Sequence, residues 1–224
     1  ETAQAPKDLA DGLYFLASAG LDAAEIMPTL EASARAAAIG MGEMGDLTRI
    51  AANVINAFPE AGLKAADVFD TLTAAVREGT AEPNEFADAL GRILPIASKA
   101  GVEFDEVAAS LSTLSNIGLD VNEGVTAMRG LMQSLFAPTA KARDVMDELG
   151  ISADQLRSML AEKGLISTLR FLEERTGGNI DKMQPLVPNI RALTGAFGLT
   201  AQEAKKVDEI FRQVAQSTGD LDSA

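Results

Sequence analysis

Gly40-Met41-Gly42-Glu43-Met44-Gly45 is the stretch of this 224-residue chain whose residue types and spacing first suggest chemistry: it fits G-x-G-x-x-G. In a dinucleotide site such glycines follow a strand, open a helix and let backbone N–H groups approach a pyrophosphate. Here an Ala-rich helical stretch precedes the pattern, and Glu43 and Asp46 put negative charge where phosphate would sit. The segment 40–45 therefore reads as an interhelical loop. The chain has no His and no Cys, which removes the commonest general base at neutral pH, the commonest zinc ligand and every thiolate. Any hydrolytic step would fall to carboxylates or Lys. Carboxylates are abundant: 33 Asp and Glu face 19 Lys and Arg, for a net charge of −14. That balance excludes a nucleic-acid groove and an anionic membrane surface. Glu173, Glu174 and Arg175 read as a solvated helix end, and Arg129, Lys141 and Arg143 are too few for a basic patch. The eight Met are scattered, which suits filling gaps in a core. No catalytic, cofactor-binding or metal-binding residue is assigned.

The elements that would have to position any site are announced by a repeated pattern of Gly, an apolar residue, a polar residue, two free positions and an acid or amide. Its copies begin at Gly20, Gly62, Gly101, Gly118, Gly150 and Gly198. Each reads as a corner between two helices. Gly takes the left-handed position that closes one helix, and the apolar residue packs back on its last turn. The polar residue caps the next helix, and the acid or amide three positions on completes a capping box. Asp22, Asp120, Ser152 and Thr200 are good caps, whereas Lys64 and Glu103 are poor ones.

Pro6 fits the first turn of a helix ending before Gly20. A second helix is predicted over about 23–39, with a kink or break at Pro28. Asp46 is predicted to cap a helix ending near Phe58-Pro59. Others follow over about 65–78 and from Pro83 to Ala100, the latter kinked at Pro95. Helices are then predicted near 104–117, 121–136, 139–149 and 153–162. Leu165 to Thr176 stops at Gly177-Gly178, and a stretch punctuated by Pro185 and Pro188 follows. Arg191 to Phe197 and Ala201 to Gln216 close the chain. No run alternates Val, Ile and Thr as a strand does; Val107, Leu111, Leu114 and Ile117 recur at helical spacing.

The expected fold is all α, an irregular array of about ten to twelve short helices joined by tight Gly-capped corners. The corners are unevenly spaced, which rejects a regular solenoid. Residues 1–216 read as a single module with a sub-boundary near 79–83, and 217–224 as a frayed tail. The longest stretch without charge, Val107 to Leu119, falls short of the about 20 apolar residues of a membrane span. No charged-then-apolar leader opens the chain, and it does not begin with Met, so it reads as an excised or processed form.

Two resemblances bear on function. Gly130-Leu131-Met132-Gln133, followed by Ala137-Pro138-Thr139-Ala140, resembles the G-L-M-Q segment of soluble lytic transglycosylases. Those enzymes protonate a glycosidic oxygen with a Glu in an upstream Glu-Ser pair. Ser115 occupies that neighbourhood here, and the nearest acids, Asp120 and Glu123, belong to a corner. The residues instead read as the buried stripe of an ordinary helix.

A longer resemblance covers nearly the whole chain. It runs through Phe15 to Glu25, Gly45-Asp46-Leu47 and Ala51 to Phe58, then Leu111 to Asp120, Glu123 to Leu131 and Leu135 to Thr139. Met146 to Ile151 and Arg191 to Gly195 complete it. In that order these segments resemble the conserved N-terminal region of tail tape measure proteins of long-tailed phages and prophages. The resemblance implies a structural virion protein, without enzymatic activity, that sets tail length and occupies the tail lumen after assembly in the bacterial host cytoplasm. It implies docking to the tail tube, the tail initiator or baseplate, or tail assembly chaperones, and admits a homo-oligomer. It implies no cofactor, no nucleic-acid binding and no membrane span in these residues. Helix 121–136 is the expected docking element, with core packing as the equal alternative. A cellular helical interaction module is the competing class, and a transglycosylase-like enzyme the third.

Overall fold

The computed structural model describes residues 5–201 and 204–224. Among them lie fourteen α-helices, one 3-10 turn and no strand. In order they are α1 (Pro6–Ser18), α2 (Ala23–Ala38), α3 (Met44–Ala57), α4 (Ala65–Glu78) and α5 (Pro83–Leu90). Next come α6 (Leu94–Ala100), α7 (Phe104–Asn116), α8 (Val121–Phe136), α9 (Ala140–Glu148) and α10 (Ala153–Thr176). The chain ends with α11 (Ile180–Leu186), α12 (Ile190–Ala201), α13 (Ala204–Ala215) and α14 (Asp220–Ser223). The 3-10 turn, Pro59–Ala61, lies between α3 and α4. The all-α reading holds, with more helices than ten to twelve. The differences are the split of Pro83–Ala100, a helix at Ile180–Leu186 in the Pro-punctuated stretch and the final turn, while 153–162 and 165–176 join as α10.

The core is built around α7 and α8. Helix α7 packs against α4, α8 and α13, and α8 packs against α12. Small residues set how closely they approach. A Cβ at Gly130 would stand 2.9 Å from Ala192 Cβ, and one at Gly195 would stand 2.9 Å from Ala127 Cβ. The α8–α12 pair therefore meets almost backbone to backbone, which an Ala- and Gly-rich sequence permits and a Leu-rich one would not. Helix α1 packs on α2 and α3 over a smaller cluster of Leu16, Leu21, Leu30, Ala34, Met44 and Ala52.

Polar side chains fasten α4 to α7. Thr80 N–H donates to Ser115 Oγ at 3.0 Å, and Thr80 Oγ1 donates to the Ser115 carbonyl at 2.9 Å. Asn116 Nδ2 donates to the Glu78 carbonyl at 2.8 Å. These bonds satisfy carbonyl and N–H groups that two helix ends would otherwise leave open.

Several expectations need correction. Pro28 does not break α2, which runs through it; a proline there forfeits its own bond to the Ala24 carbonyl, one turn from the helix start. The helix from Pro83 to Ala100 is divided into α5 and α6, and Pro95 sits in the first turn of α6, where a missing N–H costs little. Glu43, not Asp46, is the residue before α3; Asp46 lies in its first turn and pairs with Arg49. The tail over 217–224 is not frayed. Leu221 is buried, and Asp70 Oδ2 and Oδ1 accept the N–H groups of Gly219 at 2.6 Å and Leu221 at 2.7 Å. Asp222 pairs with Arg35, and Asp220 with Arg77.

Candidate functional site

The residues that suggested nucleotide chemistry do not form a phosphate cradle. Helix α2 precedes Gly40, and α3 opens at Met44 inside the pattern, with Glu43 at its entrance. Met41 and Met44 are buried, and a Cβ at Gly42 would stand 2.8 Å from Asn84 Oδ1. Gly42 is small for close packing, Gly40 closes α2 with φ 85° and the Met41 N–H reaching back to the Ala36 carbonyl at 3.1 Å, and Gly45 has open space beside it. The Gly130–Gln133 segment lies in α8, where Leu131 and Met132 are fully buried. Glu123 is exposed at the start of the same helix. That places no enclosed acid beside the segment from the positions the transglycosylase resemblance requires.

Of the six corners, five glycines have positive φ: Gly20 at 81°, Gly62 at 61°, Gly101 at 73°, Gly118 at 89° and Gly150 at 67°. Behind three of them the next residue's N–H reaches back five positions: Val102 to Ala97 at 3.0 Å, Leu119 to Leu114 at 3.2 Å, and Ile151 to Met146 at 2.9 Å. That is the bond that ties off a helix through a left-handed residue. Asp120 and Ser152 then accept N–H groups of Glu123 and Gln155, whereas Asp22 caps nothing with its side chain. Lys64 has no acceptor to offer, so only the returning half of its box is made, from Lys64 N–H to Asp67 Oδ2 at 2.8 Å. Gly198 is the exception. It lies inside α12, and the space a Cβ would fill is taken by Ile117 Cδ1. Thr200 is likewise helical and donates to the Ala196 carbonyl at 3.1 Å. Gln202 and Glu203, which end that copy, lie outside the described residues.

The structure gathers some corners and scatters others. Gly20 and Gly62 face one another across a depression that also includes Asn56, whose Nδ2 donates to the Ala19 carbonyl at 3.1 Å. Gly101 borders the other side of the Phe58–Ala61 turn, next to Ser98, which bonds the Ala57 carbonyl. Three corners thus ring one turn. Gly118 and Gly150 stand apart from it. They order helices and carry no chemistry together.

Among the described residues a carboxyl perturbed chiefly by burial is that of Glu106, in the first turn of α7. Helix α10 is interrupted at Gly164, with φ 80° and ψ 179°, so the segment from Leu165 to Thr176 begins with unpaired N–H groups. Glu106 Oε1 accepts the Ile166 N–H at 3.2 Å and serves as the cap from another helix. A Cβ at Gly164 would collide with both carboxylate oxygens. Burial pushes the Glu106 carboxyl up to about 7; the Ile166 and Leu165 N–H groups pull it down, and Asp105 and Glu103 push it further up. It borders a 480 Å³ cleft also lined by Glu103, Asp105, Glu162, Lys163 and Arg212. From sequence, Glu106 is the acid that completes the capping box of its own helix. It reaches a helix 60 residues away instead, and no local signal announces that. Gly164 carries a weak signal, a Gly followed by an apolar residue, without the polar cap that follows the other corners.

Comparison with known proteins places this architecture. Residues 1–224 match the family described as phage-related minor tail protein. The chain is 30% identical over 226 residues to a tape measure protein of Pneumococcus phage Dp-1, covering 98% of this chain and 19% of that protein. It is 28% identical over 220 residues to a probable tape measure protein of Escherichia phage P2, covering 96% of this chain and 24% of that protein. The chain thus spans between about a fifth and a quarter of the length of these relatives. No solved structure matches it. The family is one of structural tail proteins rather than enzymes, and with its whole length matched the chain belongs to it: the phage-related minor tail proteins, among which its relatives are tape measure proteins.

Proposed function

We propose that these residues form a folded, non-catalytic docking module of a tail tape measure protein. It acts in tail assembly and length determination by binding the tail tube, the initiator or baseplate, or an assembly chaperone, and resides in the tail lumen. The observation that carries this reading is the match of the whole chain to tape measure relatives. Its net charge of −14 adds that the partner is protein and not DNA. The face presented to that partner is not the family-like stripe of α8. Val121, Val125, Met128, Leu131, Met132 and Leu135 are buried, leaving a narrow polar strip of Asn122, Glu123, Thr126, Arg129 and Gln133. Resemblance concentrates on α8 because α8 is core.

The test is co-expression of the tagged chain with each tail protein of its phage or prophage, followed by capture and size-exclusion analysis. Capture of a tail protein supports the module. Failure of every tail protein to associate, or release of anhydromuropeptides from peptidoglycan by the purified chain, overturns it.

A further inference from the structure

Beside the Glu106 cleft, and sharing Glu103, Asp105 and Ala215 with it, lies a second cleft of 340 Å³ between α4, α7 and the end of α13. Its carboxylates are Asp67, Asp70, Glu103 and Asp105, and no Lys or Arg is among its described lining residues. Asp70 is committed to the Gly219 and Leu221 N–H groups; Glu103 makes no capping bond. Acidic walls alone say little in a chain this acidic. The hydroxyls add a separate observation. Ser217 and Thr71 line the cleft, 6% and 8% exposed, and neither hydroxyl has a hydrogen-bond partner among the described residues. Among the described residues the fully enclosed hydroxyl without a partner is that of Ser110, so the Ser217 and Thr71 oxygens retain some access, and both residues line the cleft. Hydroxyls held on nearly buried side chains, with no protein partner among the described residues, are open to bond an occupant of the cleft. The Phe58 and Phe104 rings, 6.3 Å apart and tilted, give the same cleft an apolar surface.

From this combination we infer that the cleft binds a basic side chain, Lys or Arg, presented by a partner protein. The ammonium or guanidinium would donate to the Ser217 and Thr71 oxygens and face Glu103 and Asp105, while its methylene stem lies along the phenyl rings. A bare metal ion fits less well, because among the described residues no group of three acids has metal-ligating geometry. An uncharged ligand would leave the carboxylates facing one another without a counter-charge. The cation site deepens the docking reading and rests on it for the protein source of the basic side chain.

The experiment is a titration of isotope-labelled protein followed by amide chemical shifts. The probe is N-acetyl-lysine methylamide and the uncharged control is N-acetyl-norleucine methylamide. Saturable shifts gathered at Thr71, Phe104, Asp105, Ser217 and Thr218 with the lysine probe, and absent with the control, support the site. A Glu103→Gln/Asp105→Asn/Ser217→Ala variant with unchanged circular dichroism and melting should bind about tenfold more weakly, the loss expected for charge-assisted hydrogen bonds. Ser217→Ala alone, the least disruptive change, should already weaken binding. Non-saturating shifts spread over the acidic surface, or equal binding by parent and variants, overturn it. Tail-protein capture is scored separately on the parent chain. Capture without lysine-probe binding removes the site and leaves the module; probe binding without capture leaves the site and removes the tail partner.

Discussion

Replacing Glu106 with Gln tests whether a cap supplied by another helix is carried at an electrostatic cost. The carboxyl is displaced from its ordinary 4.5 to about 7, chiefly by burial. The native state therefore holds this proton more tightly than the unfolded chain does. Its stabilising contribution is fully present below about pH 4.5 and is lost as pH rises through about 7. At about 1.36 kcal/mol per tenfold change the full displacement corresponds to roughly 3 kcal/mol, and solvent contact at the cleft reduces the working figure to about 2 kcal/mol. Gln keeps an oxygen to accept the Ile166 N–H and removes the titration. The groups lining the cleft around it are Glu103 and Asp105 beside it, Glu162 and Lys163 from α10, and Arg212 from α13; all stay in place in the variant. Urea unfolding of parent and variant should be compared from about pH 5 to about pH 8.5, so that other carboxylates cancel in the difference. Relative to the parent, the variant should gain about 2 kcal/mol across that range, a relative rise in melting temperature of roughly 4–8 °C for a chain of this size. A difference that stays flat with pH would show that Glu106 titrates as an ordinary surface acid, and the burial reasoning would fail.

Three further outcomes follow from the same geometry. Gly118→Val should cost roughly 1 kcal/mol or more in urea unfolding, because its φ of 89° brings a β-branched side chain against its own backbone; a neutral result refutes the corner assignment. Asp70→Ala should cost about 2–3 kcal/mol by leaving the Gly219 and Leu221 N–H groups unpaired, and hydrogen exchange at both amides should rise; retained protection at both would show that Asp70 does not hold the final turn. Gly198→Ala should change stability in urea unfolding by less than about 1 kcal/mol, because the atom its methyl meets is the Cδ1 end of the partly exposed Ile117, which can turn aside, and Ala favours the helix; a loss above about 2 kcal/mol would show that Ile117 cannot yield.

What sequence revealed divides along the range of the interaction. A corner such as Gly150-Ile151-Ser152 is legible because its bonds close within a few residues: Ile151 N–H to Met146 and Gln155 N–H to Ser152 Oγ. Gly198-Leu199-Thr200 has the same letters and a different structure. Its glycine is small for the sake of Ile117, on another helix, and the pattern cannot tell a left-handed glycine from a close-packed one. The final residues 217–224 look like a fraying tail in isolation, being small and polar. Their order is set by Asp70, about 150 residues earlier, and no local composition could signal that. Glu106 and Gly164 are hidden for the same reason: a Glu three residues after a cap position is the expected partner of its own helix, and here it caps another.

The α8 helix shows why a dense family signature need not mark a docking surface. The residues from Val121 to Phe136 carry a dense part of the resemblance, which invites the reading that they meet the partner. Their geometry explains the density differently. Gly124 lies under Leu111 and Leu114, Gly130 faces Ala192, and Ala127 faces Gly195, so a methyl group added at any of these glycines meets a neighbour within 3.2 Å. A helix fixed on two sides at that spacing has few permitted substitutions whatever it binds. The cleft over α4, α7 and the end of α13 has the opposite character. Asp67, Glu103 and Ser217 come from three separate stretches, none of which reads as a motif, and they meet only through the packing of α13 on α4 and α7. A partner that reads this module would therefore recognise a surface assembled by the fold, while the recognisable sequence is spent on assembling it.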